Sequence, residues 1–330
     1  MFGLPPGVII VIAIALAFDY LNGLHDSSNV VATVISSRAM SPRRALIMAA
    51  IAHMAGALLV ERTVATTIGD KVLDEMSLEV IGAALLAASL WNILTWFVGI
   101  PSSSSHALIG GIIGAGATAY GFTAVQLSGL TTVLLALFVS PVLGLLVGYI
   151  ITKFVLFIGE SLTPHANVWL KRGQWLTAFT LAFSHGTNDA QKTMGMVTAA
   201  LLASGTIKTF HVPLWVVFAS ASAISLGTLT GGWRLIRTLG GKFYKIRPIH
   251  GFTAQAASSV VILGATAFGG PVSTTQVVSS AIMGAGSAER LSKVRWGVAQ
   301  SIMVTWLLTI PVSAALGAFA YSIVAQLQLL

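Results

Sequence analysis

Residues 16–39 read LAFDYLNGLHDSSNVVATVISSRA. The stretch starts as an apolar helix, carries Asn22, Gly23, His25, Asp26, Ser27, Ser28 and Asn29, and then turns apolar again. An ionisable side chain at that depth in a hydrophobic segment is costly and by default marks a functional site. The device recurs at residues 181–195, LAFSHGTNDAQKTMG. Setting Asn22-Gly23-Leu24-His25-Asp26 against His185-Gly186-Thr187-Asn188-Asp189 superposes glycine on glycine and aspartate on aspartate. The chain therefore reads as two related halves, each expected to break a helix at its polar run.

The composition agrees. Of 330 residues, 55% are hydrophobic and 8% charged, and the mean hydropathy is +0.88; soluble domains carry roughly 25% charged residues. The expected class is an all-α integral membrane protein in a lipid bilayer. The opening MFGLPPGVIIVIAIALAF lacks a basic start and a cleavage pattern and reads as a retained helix. There is no cysteine, which removes disulfides and thiolate metal sites. The net charge of +8 sits in short loops, so it reports topology and not a nucleic-acid partner.

Ten apolar segments fall at about 6–37, 43–60, 80–100, 105–120, 129–157, 175–203, 212–232, 250–270, 272–288 and 296–325. A full span needs about 20 residues. The short segments 105–120 and 272–288 are each tied to their predecessor by a Pro-Ser/Thr knot, so 80–120 and 250–288 read as helical hairpins. The expected organisation is a first inverted repeat at 1–157, a cytoplasmic linker at 158–174 and a second inverted repeat at 175–330. With both termini extracytoplasmic, fourteen Lys and Arg residues fall in cytoplasmic loops and three (Arg62, Lys71, Lys208) outside, with Lys192 inside the membrane. That bias supports a multi-pass plasma-membrane topology. Inverted repeats with broken helices and a midplane site are the plan of secondary transporters.

The hairpin knots carry the chemistry. Pro101-Ser102-Ser103-Ser104-Ser105 matches Pro271-Val272-Ser273-Thr274-Thr275. Ser and Thr cap helix N-termini, and an N-terminal turn attracts anions. Two such tips pointing inward from opposite sides make one oxyanion site; Gln191 would donate to the anion or bind neighbouring backbone, and Lys192 would contact the anion or neutralise Asp189, three residues before it. A carboxylate beside a bound anion repels it by about 4 kcal/mol at an effective dielectric near 20. Asp26 and Asp189 therefore imply a coupling proton or cation, with Asn22, Asn29 and Asn188 completing an oxygen shell. Na⁺ would sit at Asp26, Asn29, Asn188 and Asp189. No cofactor is expected beyond the co-transported ion, and assembly into a homo-oligomer is left open.

The segments NGLHDSSNVVATVISSRAM (22–40), HGTNDAQKTMG (185–195), GIPSSSSHALIGG (99–111), RPIHGFTAQAA (247–257) and PVSTTQVVSSAIMGAG (271–286) resemble the duplicated signature of the PiT family of inorganic phosphate transporters. The resemblance implies ion-coupled phosphate import, with Asp26, Asn29, Asn188, Asp189 and both tips as the matching positions. His25, Gln191 and Lys192 depart from the commonest family signature and look like the bacterial low-affinity branch. That branch is similar to proton-coupled carriers of metal–phosphate complexes, so a proton is expected ahead of Na⁺. Alternatives are a Na⁺-coupled phosphate or sulfate symporter of the same fold, an anion channel on the same framework and, distantly, an intramembrane aspartyl protease; no enzyme activity is expected.

Overall fold

The computed structural model describes residues 4–73, 75–159, 166–242 and 244–327. The first repeat comprises α1 (Pro6–Ser36), α2 (Pro42–Leu59), α3 (Thr63–Asp70), α4 (Leu78–Val98), α5 (Ser104–Tyr120) and α6 (Leu127–Gly159). The second comprises α7 (Ala166–Ala203), α8 (Leu214–Thr230), α9 (Trp233–Gly241), α10 (Pro248–Ala267), α11 (Thr274–Glu289) and α12 (Trp296–Leu327). Four of these helices are long and apolar enough to cross a membrane, or six if each bent pair counts as one span. The linker expected at 158–174 lies partly outside the described residues, and α7 begins within it.

The polar runs do not break their helices. α1 passes unbroken through Asn22–Asn29, and α7 through His185–Thr193. The hydroxyls fold back onto their own turn: Ser27 donates to Leu24 O (2.9 Å), Ser28 to His25 O (3.0 Å) and Thr187 to Ser184 O (2.7 Å). Ser and Thr do this without leaving helical geometry. The glycines in the runs serve close approach. A Cβ on Gly23 would lie 2.1 Å from Ile224 O of α8, and one on Gly186 2.2 Å from His53 O of α2.

The breaks fall one helix later. α2 and α3 meet at 77°, and α8 and α9 at 71°. Sequence patterning misses α3 and α9 because each is only two turns long and carries polar side chains. The hairpins are α4–α5 and α10–α11. Gly99 (φ 76°) and Gly269 (φ 69°) end their first helices in the left-handed conformation, which a side chain resists and glycine accepts. Pro101 and Pro271 then prevent the helix from resuming at once.

The repeats are interlocked. α6 packs on the other repeat's hairpin (α10 and α11), and α12 on α4 and α5. α1 likewise packs on α8, and α7 on α2. Small residues let these backbones touch, as they must where the surroundings are as apolar as the interface. A Cβ on Gly114 would lie 1.9 Å from Ala314 O, and one on Gly284 2.1 Å from Leu145 O. The outer faces of α6 and α12 expose Leu135, Ile150, Phe154, Leu307 and Phe319, the surface a lipid-facing helix presents. The bundle's ends differ in charge. One end holds a cavity of about 520 Å³ lined by Arg38, Lys245, Arg247 and Arg295. The other holds one of about 410 Å³ lined by Asp70 and Glu75.

Gly284→Ala is expected to lower the melting temperature of the detergent-solubilised protein, because overpacking costs about 1–3 kcal/mol. Gly264→Ala is the control: nothing lies within 4 Å of its Cβ position, so its melting temperature should hold or rise.

Candidate ion-binding site between the hairpin tips

α1 and α7 bring Asp26 and Asp189 to the middle of the bundle, 1% and 0% exposed. A buried carboxylate needs donors or a counter-charge, and the tip of α11 supplies donors to both. Thr275 Oγ1 donates to Asp26 Oδ1 (2.9 Å). Thr274 Oγ1 lies 3.0 Å from Asp189 Oδ2 and 3.3 Å from Asp26 Oδ2. A hydroxyl has one proton, so Thr274 serves one carboxyl at a time. Asn29 Nδ2 bridges Asp26 Oδ1 (2.9 Å) and Thr275 Oγ1 (3.0 Å), while its Oδ1 has no partner.

The tip of α5 approaches from the other side. Lys192 is fully buried, pairs with Asp189, and donates to Ser105 Oγ (2.6 Å) and Val272 O (3.2 Å). Ser105 in turn donates to Val272 O (2.9 Å), so the two tips touch. Ser103 and Ser273 cap their helices, accepting from His106 N (3.1 Å) and Gln276 N (3.4 Å). Ser102 Oγ is 2.7 Å from Thr95 Oγ1, and Ser104 is buried in the first turn of α5. Thr95 is 7% exposed and the other site residues no more than 2%; the centre is closed from both ends.

Related clamps hold the two tips. In the second hairpin, Asn188 Nδ2 donates to Thr266 Oγ1 (2.9 Å) and Gly270 O (3.1 Å), and its Oδ1 accepts from Val272 N (3.2 Å). In the first, Thr95 Oγ1 sits between Ser102 Oγ and His25 Nε2 (3.5 Å), and His25 Nδ1 is 3.2 Å from Asp26 Oδ1. The bent arms close over the carbonyls at the ends of α4 and α10. From α3, Thr67 donates to Gly269 O (2.9 Å) and Thr63 to Thr266 O (3.0 Å). From α9, Thr238 donates to Gly99 O (2.9 Å) and Arg234 to Phe97 O.

Some sequence expectations need correction. Gln191 does not face the centre: its Oε1 accepts from Val64 N (3.0 Å) and Ala65 N (3.3 Å), and its Nε2 donates to Glu61 O (2.7 Å) and Thr187 O (2.6 Å). It caps α3, because the break after α2 leaves first-turn N–H groups that must be satisfied inside the protein. Asn188 is tied to the second tip through both its amide atoms. Asn22 is buried with both amide atoms unpaired, one turn from Asp26. His185 takes the place expected of Asn188: Asp26, His185 and Asp189 each offer a ligand atom, all within 4.8 Å of one another. Oxygen and imidazole together suit a divalent transition metal. Asp19, fully buried and seven residues before Asp26, escapes the sequence reading because its counterpart is Ala182 and repeat matching passes over it.

The Phosphate transporter family model matches the chain twice, over residues 22–168 and 159–317. The chain belongs to that family. It is 45% identical to a probable low-affinity inorganic phosphate transporter of Bacillus subtilis, over 96% of both chains, and 42% identical to one of Rhizobium meliloti, again over 96% of both. Its fold matches a solved structure described as "The sodium-dependent phosphate transporter" with TM-score 0.88 and 26% identity, covering 98% of this chain and 100% of that one. Family membership makes the protein a phosphate transporter and not an enzyme, which removes the protease reading although its two carboxyls do converge. It also favours phosphate over sulfate.

Gln191→Ala should lower the melting temperature by the equivalent of about 0.5–2 kcal/mol, the worth of a cap, and leave phosphate affinity by calorimetry within about twofold. Lys192→Met should cost about 3–5 kcal/mol by stranding the Asp189 charge; adding Asp189→Asn should recover most of that in the same melting assay.

Proposed function

We propose that this phosphate transporter imports inorganic phosphate by symport, with the proton as driving ion and a divalent metal entering with the phosphate. The observation that carries the reading is the charge at the closed centre. Two carboxyl groups, Asp26 and Asp189, share the centre with one lysine, Lys192, so acidic side chains outnumber the lysine before any anion arrives. An oxyanion enters such a site only with added positive charge.

The hydrogen bonds suggest how the requirement becomes coupling. The hydroxyls of Thr274 and Thr275 are the donors an oxyanion would use at the tip of α11, and here they are given to Asp26 and Asp189. A cation bound by Asp26, His185 and Asp189 takes over that duty and frees the hydroxyls for phosphate. Phosphate then draws on Thr274, Thr275, the first turn of α5 (Ser102 to Ser105) and Lys192. Each ligand raises the affinity for the other, as linkage requires. Alternating access would release one bent arm at a time: α3 over the second tip and α9 over the first. The basic end of the bundle fits the cytoplasm and the acidic end the outside of a plasma membrane, with both termini outside.

Na⁺ coupling is the second reading, supported by the sodium dependence of the solved relative and by the unpaired Oδ1 of Asn29. Purified protein in proteoliposomes separates the two. Radiolabelled phosphate should accumulate under an imposed pH gradient, ignore a Na⁺ gradient and excess sulfate, and stop when a chelator removes divalent metal. Manganese should enter in proportion to phosphate. Asp26→Asn and Asp189→Asn should each cut uptake at least tenfold; full coupled uptake in both would overturn the assignment.

A further inference from the structure

Three carboxyls lie within the described membrane-embedded helices away from their ends: Asp19, Asp26 and Asp189. The last two are provided for: Asp26 accepts from Asn29 and Thr275, and Asp189 pairs with Lys192. Asp19 is different. It is fully buried on α1, and neither of its oxygens has a hydrogen-bond partner. The Thr193 hydroxyl faces it from α7 and is itself unpaired. Asn22, three residues on, has both amide atoms unpaired as well.

Spacings of three and four residues put Asp19, Asn22, Asp26 and Asn29 on one face of α1. Asp19 and Asp26 are seven residues apart, about 10 Å along the axis, with Asn22 between them. Of the elements packed on α1, α7 brings Asp189 and Lys192 within electrostatic reach of Asp19. α8 holds no titratable residue, and α4 holds only Glu79 in its first turn. α2 contributes Arg43, Arg44 and His53, and α9 Arg234 and Arg237. α10 and α11, which touch α1 less extensively, contribute His250 and Glu289. On α1 itself the neighbouring groups are His25 and Asp26, two turns on.

We propose that Asp19 carries the driving proton, with Asn22 and Thr193 as the polar groups beside it, leaving Asp26 and Asp189 to the cation that accompanies phosphate. A metal ion gathers a shell of oxygen ligands, six to eight in the case of Ca²⁺; the side-chain oxygens of Thr193 and Asn22 beside Asp19 fall short of such a shell. A proton needs no shell, and the neutral acid is the form of a carboxyl that tolerates burial without donors. The step forms one O–H bond on an Asp19 oxygen from the outer side and breaks it toward the cytoplasm. Ala182 at the matching place of the second repeat means the acid stands on one side of the centre only, which in the proposed topology is the outer side. The inference rests on the proton-coupled reading above.

The test uses proteoliposomes with a pH dye inside and three readouts: phosphate–phosphate exchange, phosphate-dependent proton entry, and accumulation under a pH gradient. Wild type is measured first. If a Na⁺ gradient drives it and a pH gradient does not, the coupling reading itself falls, before any variant is made. Given proton-driven wild type, Asp19→Asn, whose amide stands in for the protonated acid, should keep exchange within about threefold while proton entry and accumulation are lost. Asp19→Glu should restore both. Asp19→Asn that still accumulates phosphate on a pH gradient overturns the proposal. So does Asp19→Asn that loses exchange as well, because Asp19 would then serve substrate binding or the fold.

Discussion

Two carboxylates at the centre of an apolar bundle have to be given partners from within the protein, and most of the architecture follows from that. Water is not at hand to solvate Asp26 and Asp189, so Thr274, Thr275, Asn29 and Lys192 are brought to them. Asn29 and Lys192 come from within α1 and α7, and the two threonines from a helix N-terminus at that depth. Such a terminus in turn requires a hairpin that turns inside the protein, where freed backbone groups are met by side chains. The threonines of α3 and α9 meet the carbonyls at the ends of α4 and α10, and Gln191 meets the N–H groups that open α3.

The repeats share this frame and differ at its centre. Asn29 and Lys192 occupy matching positions one turn past their aspartates. In the first half that place holds an amide that bridges Asp26 to a tip; in the second it holds a fixed cation that bridges Asp189 to the opposite tip. His25 and Asn188 diverge in the same way: one lies beside Asp26 and the other fastens the second tip. A duplicated scaffold has thus become a site with two unlike sides.

Much of this is legible in the sequence. The paired aspartates, the Pro-Ser/Thr knots and the lopsided loop charges lead to an all-helical, two-repeat membrane protein with hairpins whose tips meet the aspartates. The break is misplaced when asparagine, serine and glycine are read as helix breakers in α1 and α7. There the hydroxyls bond within their own turn, and the glycines admit a neighbouring backbone. Direction of side chains is the other gap. Gln191 and Lys192 are adjacent in sequence, yet point to α3 and to the centre respectively, about 100° apart around a helix. Asp19 stays hidden because matching the halves favours what is duplicated, and Asp19 is not.

The crossed packing of α6 and α12 bears on how the molecule can be made. α12 rests on the first hairpin, yet it is synthesised after the whole of the second. The polar tip between α4 and α5 must therefore wait in the membrane without its outer wall while nearly all of the second repeat is inserted. Neither hairpin has its full packing surface until the other repeat's last helix is in place. A truncation short of α12 would strand the first hairpin, not merely trim the second.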